Sequence, residues 1–124
     1  MAKILVVDDD VDNRLIIKTV LENANHSVSE SVDGKLGIEL ALNEKFDLII
    51  LDVMMPKIDG WQVCETLKSD LKTKDIPILI LTARTTFLDE IQRRGSRADE
   101  YLTKLADHKT LLETVEKLLS KKTP

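Results

Sequence analysis

Apolar residues fall along this chain in two rhythms. Three short runs, "KILVV" (3–7), "DLIIL" (47–51) and "PILIL" (77–81), are almost continuously apolar and too short for helices. Successive side chains of a strand point to opposite faces, so such runs suit strands covered on both sides, as in a parallel sheet. "SVSESV" (27–32) alternates with polar residues and reads as an edge strand, and "EYLTK" (100–104) as the opposite edge. Between the runs, apolar positions recur at helical spacing. Ile17, Val20, Leu21 and Ala24 follow i, i+3, i+4, i+7, with Asp10 or Asp12 as the cap. A second helix starts at "DGK" (33–35) and runs to about Asn43. A third follows "DG" (59–60) and carries Val63, Cys64, Leu67 and Leu71. A fourth, near 86–94, carries Phe87, Leu88 and Ile91 beneath an exposed face of Asp89, Glu90, Arg93 and Arg94. The last begins near Asp107 and turns Leu111, Val115, Leu118 and Leu119 inward.

The order is a strand then a helix, five times over. That predicts an α/β fold: a five-stranded parallel sheet in the flavodoxin-like order 2-1-3-4-5, with helices on both faces. In such sheets ligands bind outside the carboxyl ends of the strands. Asp8 and Asp9 follow the first strand, Asp52 the third, Thr82 and Ala83 end the fourth, and Lys104 ends the fifth. The topology thus gathers acids, a hydroxyl and an ammonium from four separate segments.

Composition narrows the setting. A length of 124 residues suits one domain, expected over 1–120 with 121–124 as a frayed tail. A net charge of −4 disfavours nucleic acid and anionic membranes as partners. The single cysteine, Cys64, has no partner for an internal disulfide. No stretch approaches the roughly 18 apolar residues of a membrane span. The expectation is a soluble, cytoplasmic protein.

Each residue at the strand ends has an ordinary alternative. Asp8 and Asp9 could be solvated turn residues, and Asp10 suits a helix cap better than a site. Asp52 could form a turn, Thr82 could merely end a strand, and Lys104 could be a surface lysine. Tyr101 could be a half-buried strand aromatic. Their meeting at one place favours a site over these separate explanations.

The segments "ILVVDDD", "LIILDVMMPKIDG", "ILTA" and "YLTK" together resemble the receiver domain of two-component response regulators, of the single-domain chemotaxis or phosphorelay kind. The resemblance runs from Lys3 to about Leu119. It implies that Asp52 accepts a phosphoryl group, with Mg²⁺ held by Asp9, Asp52 and the Met54 carbonyl, and by Asp8 through water. It implies that Thr82, the Ala83 N–H and Lys104 receive the phosphoryl oxygens, and that Thr82 and Tyr101 form a switch. The implied donor is a histidine kinase or a histidine-phosphotransfer protein. The implied output is a protein target on the fourth helix, fifth strand and fifth helix. No DNA-binding or enzymatic output domain is expected after Leu119, so the output is expected to be a protein contact or onward phosphotransfer.

Rival readings make different demands. A haloacid-dehalogenase-like hydrolase wants an acid where Met54 stands. A nucleotide-binding module such as a flavodoxin wants Gly, Ser or Thr after the first strand, where three aspartates would repel a phosphate. A receiver cut from a larger regulator, or one that docks without phosphorylation, remains open. Two further expectations follow. The resemblance implies that Met54 and Arg84, two residues after the acceptor and two after the threonine, flank the path of an attacking water; Met54 cannot hydrogen-bond and orient that water, so a slowly hydrolysed phospho-form is expected. Leu105 replaces the family's usual proline after the lysine, so the Lys104–Leu105 bond is expected trans, a cis bond there costing about 3 kcal/mol.

Overall fold

The computed structural model describes residues 2–52, 60–82, 98–103 and 107–122. Its strands are β1 (Lys3–Val7), β2 (Ser27–Ser31), β3 (Leu48–Leu51), β4 (Ile78–Thr82) and β5 (Glu100–Thr103). The described helices are α1 (Val11–Asn23), α2 (Gly34–Asn43), α3 (Gly60–Ser69) and a C-terminal helix (His108–Lys122). The sheet is parallel, in the order β2-β1-β3-β4-β5. Architecture and strand order are those expected from the sequence.

The apolar strands divide their side chains between two cores. Leu5, Val7, Ile49, Leu51, Ile78 and Ile80 face one core with Ala41 of α2 and Val63, Cys64 and Leu67 of α3. Ile4, Val6, Leu48, Ile50, Leu79 and Leu81 face the other with Ile17 and Leu21 of α1 and Leu111, Val115 and Leu118 of the C-terminal helix. Every residue of β3 and β4 is buried, which is why these strands lack polar alternation. Among the described residues, β2 pairs only with β1 and β5 only with β4, the two edges that the polar patterns foretold.

Helix boundaries follow local chemistry. The Asp10 carboxylate accepts from the N–H groups of Asp12 and Asn13, so the third aspartate of "DDD" is the cap of α1. Asp33 caps α2 through the Leu36 N–H at 2.8 Å. At the far end of α1, His26 N–H donates to the Leu21 carbonyl and Asn25 N–H to that of Glu22, with Asn25 at φ 71°. This is the left-handed helix stop that asparagine tolerates, and it turns the chain into β2.

Two apolar assignments need correction. Leu71 does not lie on the buried face of α3. The helix ends at Ser69, the Asp70 carbonyl and carboxylate gather the N–H groups of Lys72, Thr73 and Lys74 into a turn, and Leu71 is 83% exposed. Ala24 is the C-cap of α1 and only part-buried, because the helix stops beneath it. Leu119 is partly buried against the second core. The expected helix near 86–94, Met54, Ala83, Arg84, Lys104 and the Lys104–Leu105 bond lie outside the described residues. Among the described residues, no helix is long and apolar enough to cross a membrane.

Candidate metal and phosphoryl site

Strand register brings the acids together. Val7 of β1 pairs with Leu51 of β3, and the Asp52 N–H donates to the Val7 carbonyl at 3.0 Å. The residues just beyond this pair, Asp8 and Asp52, therefore leave adjacent strands at the same level. Asp8, Asp9 and Asp52 each offer one carboxylate oxygen, and the three oxygens lie within 4.8 Å of one another. Asp8 and Asp52 are 2% and 5% exposed, whereas Asp9 is open to solvent.

Such a cluster is costly by itself. Burial and like charge both disfavour ionised carboxylates. Part of the cost is met locally: the Asp8 carboxylate accepts from the Asp10 N–H at 2.9 Å. What the oxygens have in common is that they are hard anionic donors within 4.8 Å of one another, one of them on a solvent-exposed residue. That set suits a hard divalent cation such as Mg²⁺, which takes one or two carboxylates and keeps several waters. The exposed Asp9 leaves the access those waters need.

Thr82 closes the next strand over. Leu51 pairs with Ile80, so Thr82 lies one position beyond the level of Asp52 on the neighbouring strand, and it is fully buried. β5 pairs with β4 out to Thr82 opposite Thr103. Tyr101 is partly buried on β5 and packs against the core shared with α2 and α3. Of the residues expected at the site, the structure gathers Asp8, Asp9 and Asp52 and sets Thr82 beside them.

Sequence reasoning missed a second layer. Arg14 is buried on α1, and its Nη1 donates to the Asp8 carbonyl at 2.6 Å. Its Nε donates to Glu30 on β2 at 3.3 Å, and Lys18 lies 3.5 Å from the same carboxylate. A signal was available: Arg14 occupies the apolar period of α1, three residues before Ile17 and seven before Leu21. An arginine on a buried stripe needs a partner.

Comparison with known proteins agrees with this geometry. The family model for the response regulator receiver domain matches residues 4–116. The DNA-binding dual master transcriptional regulator RpaA of a Synechocystis species is 44% identical over 119 residues, covering 96% of this chain and 49% of that protein. Protein PilH of Pseudomonas aeruginosa is 35% identical, covering 97% of this chain and 99% of PilH. The chain thus spans about half of the first relative and nearly all of the second. The response regulator protein TrrA of Thermotoga maritima, solved in complex with Mg²⁺-BeF, superposes with a TM-score of 0.86 at 32% identity, covering 95% of this chain and 99% of TrrA. With most of its length matched by the family model and its acids at the ends of strands β1 and β3, the chain belongs to the receiver domain family of two-component response regulators.

Proposed function

We propose that the chain is a phosphorylation-activated switch of a two-component or phosphorelay pathway, with Asp52 as the phosphoacceptor. The observation that carries the reading is the meeting of three carboxylate oxygens within 4.8 Å at the ends of β1 and β3. Asp9, Asp52 and the Met54 carbonyl are the proposed Mg²⁺ ligands, with Asp8 acting through water. The bound cation supplies charge neutralisation for an anionic acceptor meeting an anionic phosphoryl group.

The chain's own residues supply the rest. Buried at the end of β3, the Asp52 carboxylate is the proposed attacking group, and transfer requires it to meet the phosphorus in line. Its oxygen forms the new P–O bond while the P–N bond to a donor imidazole breaks, the electron pair leaving on the nitrogen. With a small donor such as acetyl phosphate, a P–O bond breaks and acetate leaves. The Thr82 hydroxyl, the Ala83 N–H and Lys104 are the proposed donors to the phosphoryl oxygens. The chain catalyses only its own phosphorylation and dephosphorylation and turns over no separate substrate.

The switch reading follows from Thr82 and Tyr101. Thr82 moves toward the phosphoryl oxygens and Tyr101, half-buried on β5, packs into the room it leaves. The changed surface is that of β5, the C-terminal helix and the segment near 86–94. The proposed partners are a histidine kinase or histidine-phosphotransfer protein as donor and a downstream protein as target, in the cytoplasm and without nucleic acid or membrane. Residues 1–120 are the proposed switch domain. A near-complete shift between states takes about 5.5 kcal/mol of differential phosphate binding.

Intact-mass spectrometry after acetyl phosphate and Mg²⁺ tests the assignment. The wild type should gain one phosphoryl group and Asp52→Asn none. An Asp52→Asn protein that gains the same mass would place the acceptor elsewhere.

A further inference from the structure

Arg14 is the buried charge that the apolar pattern of α1 leaves unexplained. It reaches two anchors. Nη1 donates to the Asp8 main-chain carbonyl at 2.6 Å, and Nε donates to Glu30 Oε1 at 3.3 Å. That carbonyl lies one residue past the end of β1, just where the strand's own ladder stops. Glu30 lies on β2 opposite Val6 of β1. The Asp8 N–H, for its part, donates to the Ser31 carbonyl at 3.1 Å. Both main-chain groups of Asp8 are therefore tied to β2, one directly and the other through Arg14 and Glu30.

We propose that Arg14 is a positioning residue of the cation site: by fastening the Asp8 carbonyl to Glu30, it holds the loop from which the Asp8 and Asp9 carboxylates meet Asp52. The inference rests on the reading of this cluster as a Mg²⁺ site. Two effects of opposite sign act here. A fixed guanidinium charge near the acids opposes the entry of another cation. A fastened loop has its ligands already ordered, which favours entry. Glu30 lies against the guanidinium and offsets its charge, so ordering dominates. Lysine at this position would keep the charge but lose the planar fork that spans two acceptors.

The test uses the full chain and Mg²⁺ alone. Wild type, Arg14→Lys, Glu30→Gln and Asp9→Ala are titrated with MgCl₂ by calorimetry, and each is melted in EDTA to establish that it is folded. Arg14→Lys should weaken Mg²⁺ affinity about tenfold, the scale of outer partners that orient metal ligands. Glu30→Gln should weaken it less, in the same direction. A purely structural Arg14 would lower the EDTA melting temperature and leave the affinity of the folded protein unchanged, and that result overturns the proposal. So do Arg14→Lys and Glu30→Gln affinities within about twofold of wild type, well short of the outer-partner effect. Wild type and Asp9→Ala taking up Mg²⁺ alike, or not at all, would instead sink the reading of the site and this inference with it.

Discussion

Asp9 is the residue at which the cost of the acidic cluster can be measured. It is the solvent-open member of three carboxylates whose oxygens lie within 4.8 Å. Without a cation its charge repels two buried neighbours; with one, it is a ligand. Asp9→Ala should therefore have effects of opposite sign. In EDTA the variant should melt at or above the wild-type temperature, because a repulsion is gone. In millimolar Mg²⁺ the wild type should gain stability by ligand linkage and the variant should not. Phosphorylation by acetyl phosphate should fall by at least the roughly 10–100-fold typical of lost outer partners. Paired melts with and without Mg²⁺ check the sign. A variant less stable than wild type in EDTA would mean that the cluster is not strained by its own charge.

At the scale of elements, close contacts and caps decide where helices sit. α2 lies against β1 with Gly37 at the contact. A Cβ there would stand 2.9 Å from Val7 Cγ2 and 3.2 Å from Val7 Cγ1. Val7 is β-branched and buried, so it has little room to yield. Gly37→Ala should cost about 1–3 kcal/mol in crowding. Better helix propensity returns about 0.5–1 kcal/mol. The net should be a destabilisation of about 1 kcal/mol, read from chemical denaturation. Val7 directly precedes Asp8, so the same strain should also weaken Mg²⁺ binding. The C-terminal helix depends on a cap. The Asp107 carboxylate accepts from the Thr110 N–H at 2.8 Å, and this bond, with help from the Thr110 side chain and the neighbouring His108, holds its pKa below the ordinary 3.8. A carboxyl with a depressed pKa stabilises the fold above its unfolded value and loses that contribution as pH falls through its folded value. The melting-temperature gap between wild type and Asp107→Ala should be full at neutral pH and should close as the pH drops below 3.8. A gap that persists in strong acid would rule out the carboxylate cap.

Across the whole molecule, the end of the sheet opposite the acids is held by a buried lysine. Lys68 leaves α3 and donates to the Ile76 carbonyl at 2.9 Å, the Lys74 carbonyl at 3.3 Å and Asp99 Oδ2 at 2.8 Å. Asp99 Oδ2 also accepts from the Ile78 N–H at 2.8 Å. One ammonium thus joins α3, the turn before β4 and the entry to β5. Lys68→Met keeps much of the apolar stem but leaves these acceptors without their shared donor. It should cost about 1–3 kcal/mol in urea denaturation. Phosphorylation of Asp52 should be unimpaired, since the tie lies at the amino ends of the strands. A loss of phosphorylation in a folded Lys68→Met protein would show that the two ends of the sheet are coupled.

How much of this was legible in the sequence differs from feature to feature. The strand runs, the edges and the sheet order follow from local rules: period-two burial, two-sided apolar runs and right-handed crossovers leave few other topologies. The acids at the ends of β1 and β3 were legible for the same reason, because a parallel sheet brings consecutive strand ends to one edge. Asp10 could be read as a cap because an N-cap bond reaches only two or three residues along the chain. Leu71 was misread because periodicity has no knowledge of where a helix stops; the turn built on Asp70 ends α3 first. The partners of Arg14 and Lys68 were invisible for a different reason. Each of these two residues is a charge on a buried face whose cost is met by carbonyls and carboxylates of other elements, Asp8 and Glu30 for one and Ile76, Lys74 and Asp99 for the other. Short-range pattern determined which residues form the elements and the acidic edge. Only tertiary structure decided which buried charges find partners, because those partners are brought within hydrogen-bond reach by packing and not by spacing along the chain.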